Sequence, residues 1–225
     1  MNNTLEVNSV MLAYHGRSII TDCYLKCETG EIVGLLGRNG SGKSSLLKII
    51  FGTLRVQNKI IRINKKNYLS PYRKRRLIAY LPQESFLPQN MRVENIIDIY
   101  IDSEAQKFIL EDEKVRTYLD KTVAQLSGGQ LRYFELLLII NLNTMFVLLD
   151  EPFSKIEPLY KGFIADLIKN YRTTIGFILT DHDYQNVISL SDSIYLLTDG
   201  VCKKLVDLSD LEKYNYVPAS TFRNI

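Results

Sequence analysis

The stretch GRNGSGKS at residues 37–44 decides the fold of this chain, because it fits the G-x-x-x-x-G-K-[ST] pattern of a phosphate-binding loop. The apolar run IVGLL at 32–36 precedes it, as expected of a strand buried on both faces. The run SLLKIIF at 45–51 follows with helical character, and Gly52 is placed to end that helix. A glycine turn before an ordinary helix is the alternative, but this context favours a nucleotide site.

The residue types within the loop suit a triphosphate. Glycines at 37, 40 and 42 let the backbone approach phosphate oxygens, and successive N–H groups at a helix N-terminus form an anion site. Lys43 can reach the terminal phosphates, and the hydroxyl of Ser44 can bind Mg²⁺. The loop therefore predicts a nucleoside triphosphate bound together with Mg²⁺.

Two carboxylates end a second apolar run, FVLLDEP at 146–152. The carboxyl ends of parallel strands meet at one edge of a sheet, so we expect Asp150 and Glu151 beside the phosphate loop. We assign Asp150 to the Mg²⁺ shell and Glu151 to the base that orients or deprotonates the attacking water. Taken alone, Asp-Glu-Pro after a strand is more often a plain turn.

His182 follows the apolar run at 175–179. A lone histidine is usually structural, but beside a phosphate loop His182 is placed to contact the γ-phosphate.

A second glycine motif, LSGGQ at 126–130, opens a predicted helix that runs to about residue 140. The segment from about 84 to 125 is charged and favours helices, so we interpret it as an inserted helical subdomain. Residues 5–27 favour antiparallel strands. Further strands are predicted at 77–81, 145–149 and 175–179, with a helix at about 160–170 and a hairpin of 193–198 with 201–206.

Together, these motifs resemble the ATP-binding subunit of ABC (ATP-binding cassette) transporters, in the same order from about residue 5 to residue 206. The resemblance implies an α/β fold. Its parts are a P-loop NTPase (RecA-like) core with a parallel sheet, an N-terminal antiparallel β-subdomain and an inserted helical subdomain. In a single domain 1–225, the core with its β-subdomain occupies 1–83 and 145–206, the helical subdomain 84–144 and a tail 207–225.

The resemblance also implies roles for individual residues. Lys43, Glu151 and His182 correspond to catalytic positions, and Ser44, Gln83 and Asp150 to those around the metal ion. The residues implied to bind ATP are Tyr14, which would stack on adenine, and Gly37, Arg38, Asn39, Gly40, Ser41, Gly42, Lys43, Ser44 and Ser45. The residues implied to bind the ATP of another subunit are Ser127, Gly128, Gly129 and Gln130.

The family's mechanism implies partners. Two chains, as a homodimer or with a paired ABC subunit, would enclose two ATP molecules head to tail and drive separate transmembrane permease subunits. The chain would then lie peripherally on the cytoplasmic face of the inner (plasma) membrane. Two departures from the family pattern stand out. Glu157 replaces the common aspartate after the Asp-Glu pair, and Leu131-Arg132 replaces a commonly more polar, basic pair.

Composition excludes several other classes. With 225 residues, 46% of them hydrophobic, and a net charge of +3, the chain is typical of a soluble globular protein. We interpret the basic cluster at 62–76 as a solvated face and expect no nucleic acid. The three cysteines contain no C-x-x-C pair, so we expect neither a zinc site nor a disulfide framework, which fits a reducing cytosol. Neither a secretory signal nor a membrane-spanning segment is predicted.

Two other functions remain open on the sequence. The first is a soluble ABC ATPase that acts on ribosomes or DNA, although such proteins usually carry two cassettes or long coiled coils. The second is a regulatory subunit with weak hydrolysis, which the Glu157 departure keeps open.

Overall fold

The computed structural model describes residues 2–14 and 16–222. The predicted domain limits at 1 and 225, and the end of the predicted tail at 223–225, lie outside the described residues. The strands are β1 (Thr4–Asn8), β2 (Leu12–Tyr14), β3 (Arg17–Ile20), β4 (Leu25–Glu28), β5 (Ile32–Leu36), β6 (Ile60–Ile63), β7 (Lys66–Asn67), β8 (Ile78–Leu81), β9 (Phe146–Asp150), β10 (Gly176–Thr180), β11 (Ser193–Thr198) and β12 (Val201–Lys204). The α-helices are α1 (Lys43–Phe51), α2 (Val93–Tyr100), α3 (Ser103–Glu111), α4 (Glu113–Arg116), α5 (Gly128–Ile140), α6 (Pro158–Tyr171), α7 (Tyr184–Leu190) and α8 (Asp210–Lys213).

The described residues build a six-stranded central sheet in the order β12-β11-β5-β10-β9-β8. Neighbouring strands from β11 to β8 run parallel, and β12 pairs antiparallel with β11 at the edge. Strands β5, β9 and β10 are buried along their whole length, as expected where both faces of a parallel sheet are covered. The segments that follow these three strands therefore lie side by side at one edge of the sheet.

Successive side chains of β5 point to opposite faces of the sheet and enter different hydrophobic clusters. Ile32 and Leu36 pack in the cluster that contains the buried residues of α2 and α5. Val33 and Leu35 pack in a second cluster, which contains the buried residues of α1 and of the antiparallel sheet. Layers on both faces thus hold the strand that leads into the phosphate loop.

The N-terminal strands form an antiparallel layer. Strands β4-β1-β6-β7 make one sheet, and β2 pairs with β3 in a separate hairpin. Leu5 in β1 lies opposite Cys27 in β4 and Ile63 in β6, and burial alternates along β1. One face of this sheet therefore enters the core, which is why fully and partly buried residues alternate along β1.

The fold class predicted from the sequence is confirmed, and helix α5 begins at Gly128 and ends at Ile140 as predicted. Burial covers nearly all sides of α5, so its sequence shows little amphipathic periodicity. The second strand of the predicted hairpin is shorter than expected, because β12 ends at Lys204. Among the described residues, no helix combines the length and the apolar composition needed to cross a bilayer.

One expectation about the cysteines was wrong, because Cys23 and Cys202 form a disulfide, with Cα atoms 4.7 Å apart. The two residues are separated by 179 positions in the sequence and meet because the turn between β11 and β12 packs on the segment after β3. There, the Thr21 N–H donates to the Gly200 carbonyl at 2.8 Å. Spacing rules compare neighbouring cysteines and miss such a pair. Cysteine usage therefore no longer argues for a reducing compartment.

Candidate nucleotide site

The phosphate loop connects β5 to α1 and has the backbone that its glycines predict. Gly40 and Gly42 have φ angles of 79° and 103°, in the left-handed region that favours glycine. Gly42 caps the N-terminus of α1, so the first N–H groups of that helix face the loop. A Cβ atom on Gly42 would also lie 3.0 Å from Ile19, so a side chain there would crowd the strand beneath the loop.

Lys43 is the cation of the loop, and only 7% of it is exposed. Its Nζ donates to the carbonyl oxygens of Gly37 at 2.8 Å and of Arg38 at 3.3 Å. Burial lowers the pKa of Lys43, whereas the carboxylates of Glu151 and Asp150 oppose that shift. The ammonium group is therefore held at the loop, close to the two acids that end β9.

Asp150 organises one half of the acidic end of β9. Its Oδ1 accepts hydrogen bonds from the Ser44 hydroxyl at 2.9 Å and the Thr180 hydroxyl at 3.1 Å. Its Oδ2 accepts a bond from the Tyr80 hydroxyl at 2.8 Å. Only 1% of Asp150 is exposed, so these three hydroxyls take the place of water around a buried carboxylate. Burial and the neighbouring carboxylate raise the pKa of Tyr80, which therefore stays a donor.

Glu151 follows Asp150 at the end of β9, and its carboxylate contacts side chains from two other segments. Its Oε2 accepts a hydrogen bond from Gln83 Nε2 at 2.7 Å, and its Oε1 lies 2.8 Å from His182 Nε2. Burial raises the pKa of Glu151, whereas His182 opposes the shift. Its φ angle of 53° is unusual for a residue other than glycine, so the surrounding contacts hold it in place.

These segments meet in a cleft of about 330 Å³. Tyr14, at the end of β2, lines its rim and is 46% exposed. The other lining residues are Ile19, Asn39, Gly40, Gly42, Lys43, Ser44, Ser45, Gln83, Glu151 and His182. Of the remaining loop residues, Arg38 points away and donates to the Asn215 carbonyl at 2.6 Å. The buried hydroxyl of Ser41 has no hydrogen-bond partner within the described residues.

The second glycine motif is not among the residues that line this cleft. Ser127 caps helix α5, since its hydroxyl accepts from the Gln130 N–H at 3.2 Å while its own N–H donates to the Gln130 side chain at 2.9 Å. A Cβ atom on Gly129 would lie 2.5 Å from the Tyr160 ring and 2.7 Å from the Glu157 carboxylate. The motif thus packs on the start of α6, at a helix N-terminus outside its own chain's cleft.

Sequence reasoning named no role for Tyr80, Thr180 or Asp181. Thr180 lies opposite Asp150 in the register of β10 and β9. Its hydrogen bond to Asp150 could therefore have been predicted only if the pairing of these two strands were known. Asp181 is buried and accepts the N–H groups of Phe153 at 3.1 Å and Asp183 at 3.0 Å. Burial raises the pKa of Asp181. Its carboxylate holds the turn that carries His182.

Comparison with known proteins agrees with this geometry. A family model described as "ABC transporter" matches residues 20–154. The chain belongs to the ABC transporter family. A "Probable ABC transporter ATP-binding protein" of Azorhizobium caulinodans is 32% identical over 201 residues, which is 84% of this chain and 72% of that protein. The lipopolysaccharide export system ATP-binding protein LptB of Escherichia coli K12 is 31% identical over 211 residues, which is 88% of each chain.

Solved structures support the fold of this ABC chain. The crystal structure of a nucleotide-free ATP-binding cassette from an ABC transporter matches with a TM-score of 0.82 over 96% of each chain, at 19% identity. The family and its relatives make the chain an ATP-binding ATPase subunit of a transporter. They do not favour an ATPase that acts on ribosomes or DNA.

Proposed function

We propose that this ABC ATPase binds two MgATP between two subunits arranged head to tail, and that ATP hydrolysis drives a separate membrane permease. One observation carries the proposal. The cleft is lined by the phosphate loop and the Gln83–Glu151–His182 cluster, whereas the LSGGQ motif of the same chain is not among its lining residues. One chain does not bring its two anion sites to the same nucleotide. A second subunit can complete each site by supplying its LSGGQ motif opposite the phosphate loop.

Within the cleft, the loop N–H groups and Lys43 hold the phosphates, and Tyr14 is placed at the rim for the adenine ring. Mg²⁺ fits the donor set, because Ser44 and Asp150 present adjacent hydroxyl and carboxylate oxygens, 2.9 Å apart. With Gln83, they would hold the ion. When bound, Mg²⁺ neutralises charge on the phosphate oxygens.

Glu151 is the base in this proposal. Its carboxylate is nearly buried, and burial raises its pKa, so it accepts a proton from water more readily than an ordinary glutamate does. Gln83 and His182 each hold one of its two oxygens. The same two side chains can orient the attacking water and the γ-phosphate.

The partner subunit's nucleotide would lie at the start of α5. The first N–H groups of a helix have no partner inside the helix, and they attract an anion. Ser127 and Gln130 cap each other and fix this end of α5. We therefore propose that Ser127, Gly128, Gly129 and Gln130 contact ATP held by the other subunit, which is either a second copy or a paired ABC subunit.

The permease is proposed to dock beside Gln83. Phe86 and Tyr100 lie edge to face, with ring centroids 6.5 Å apart, and both are exposed, as is Ile99. This apolar surface joins the segment after Gln83 to helix α2, within the helical subdomain proposed at 84–144. Docking there would place the chain peripherally on the cytoplasmic face of the inner membrane.

The test is the variant Glu151→Gln, which keeps the size of the side chain and removes its basicity. We expect ATP hydrolysis to fall to background, while ATP binding and ATP-dependent dimerisation, followed by size-exclusion chromatography with light scattering, are retained. Glu94→Gln is the matched control, because Glu94 is exposed and pairs with Arg92 on the surface. Unchanged turnover in Glu151→Gln would remove Glu151 from its role.

The partner is tested separately. We expect co-purification from detergent-solubilised membranes to recover a polytopic membrane protein, identified by mass spectrometry. Recovery only with ribosomes or DNA would refute the transport assignment.

A further inference from the structure

A buried arginine links three segments of the nucleotide site. The Arg132 side chain lies on α5 and is 7% exposed. Its Nη1 donates to the Pro82 carbonyl at 2.6 Å, and its Nη2 donates to the Asp150 carbonyl at 2.7 Å and the Glu151 carbonyl at 3.3 Å. A planar guanidinium group has donors on several nitrogens and can therefore bond acceptors on separate segments at once. The single nitrogen of a lysine side chain does this less well.

Glu135, one turn further along α5, balances this buried charge. Its Oε2 lies 3.4 Å from Arg132 Nη1, and its side chain is 2% exposed. Its Oε1 accepts the Phe86 N–H at 3.3 Å. Burial raises the pKa of Glu135, whereas Ser85 and Arg132 oppose the shift. The pair therefore joins α5 to both sides of Gln83, at Pro82 and at Phe86.

The contacts of Arg132 converge on the backbone next to the reacting groups. Pro82 immediately precedes Gln83, and the Glu151 carbonyl belongs to the residue proposed as the base. Glu151 has the unusual φ angle of 53°, and a backbone in that conformation persists only where its surroundings hold it. Helix α5 itself begins at the LSGGQ motif, so the motif, the Gln83 segment and the end of β9 are held as one unit.

We propose that Arg132 is a positioning residue for ATP hydrolysis, which fixes the backbone of Gln83 and Glu151 on helix α5. It touches neither ATP nor the attacking water. Its effect comes through the orientation of the two side chains that hold and activate that water. The proposal rests on the function proposed above, since it takes Glu151 as the base.

A purely structural arginine would lower stability and would affect ATP binding and hydrolysis together. A positioning residue lowers kcat and leaves ATP binding in place, because the hydrogen bonds described for Arg132 go to Pro82, Asp150 and Glu151 and not to Lys43 or the loop N–H groups. The test therefore compares kcat with the affinity for a fluorescent ATP analogue, measured on the full chain. Circular dichroism melts establish that each variant is folded.

Two variants carry the test. Arg132→Gln combined with Glu135→Gln removes the buried cation and its carboxylate together, so that no uncompensated charge remains. Arg132→Lys keeps the charge beside Glu135 but loses the fork that spans Pro82 and Asp150, and it serves if the double variant does not fold. We expect kcat to fall at least tenfold in the first and at least fivefold in the second, with analogue affinity within twofold of the parent.

Arg172→Gln is the control, because its half-exposed ion pair with Asp192 lies on the surface. We expect it to keep the parent kcat. A folded Arg132 variant with kcat within twofold of the parent would overturn the proposal, and so would a parallel loss of binding and turnover. If the parent hydrolyses no ATP, or if Glu151→Gln turns over normally, the proposed function fails instead.

Discussion

Replacing Tyr80 by phenylalanine removes one of the three hydroxyls that surround the buried Asp150 carboxylate. The ring stays, so the change creates no cavity, but Oδ2 loses the bond of 2.8 Å that Tyr80 donates. A hydrogen bond to a charged group contributes about 1.5–3 kcal/mol, and the loss leaves a buried acceptor unsatisfied. We therefore expect the free energy of unfolding to fall by about 1.5–3 kcal/mol.

Urea denaturation followed by far-ultraviolet circular dichroism measures this loss, since the chain contains no tryptophan. In a thermal melt, the same loss corresponds to a fall in Tm of about 3–12 °C for a chain of this size. Tyr72→Phe is the matched control, because the Tyr72 hydroxyl accepts an exposed bond from Arg73 at 3.3 Å rather than donating to a buried carboxylate. A loss below about 0.5 kcal/mol for Tyr80→Phe, or an equal loss for Tyr72→Phe, would refute the reasoning.

Two further predictions concern the cleft. Lys43→Ala is expected to weaken binding of a fluorescent ATP analogue about 10- to 150-fold, because it removes the equivalent of one charged hydrogen bond. Affinity within threefold of the parent would contradict this expectation. Burial raises the pKa of Glu151 above the ordinary value of 4.5, and a base works only when deprotonated. Hydrolysis measured as kcat/KM, which reports the pKa of the free enzyme, should therefore fall as pH is lowered, with an acid limb above 4.5. A limb at or below that value would argue against Glu151 as the base.

The sequence predicted several of the elements that carry a clear local signal. The apolar runs that became β5, β9 and β10 are short and uninterrupted, and Gly128 marks the start of α5. Polar residues that directly follow buried parallel strands, such as Glu151 and His182, could be placed at one edge of the sheet by that rule alone. Their mutual contacts then follow from strand order rather than from any single motif.

The features that the sequence did not predict depend on long-range pairing. The disulfide joins residues 179 positions apart, and Thr180 reaches Asp150 only through the register of two strands. Arg132 lies on a helix buried on nearly all sides, where no periodicity distinguishes a positioning side chain from a misplaced charge. Pairing of this kind is set by tertiary packing, which single-sequence patterns do not encode.

Asp150 connects the phosphate loop to helix α5, because its side chain and its carbonyl accept hydrogen bonds from different segments. The carboxylate accepts a hydrogen bond from the Ser44 hydroxyl in the phosphate loop. The carbonyl accepts a hydrogen bond from the Arg132 side chain on α5. A displacement of α5 therefore acts on the same residue that the phosphate loop holds. Helix α5 also begins at the LSGGQ motif, so the proposed contact with a partner's nucleotide reaches the end of β9 through a single rigid helix. In the proposed dimer, this connection would link the nucleotide bound at the phosphate loop to the nucleotide held by the partner subunit.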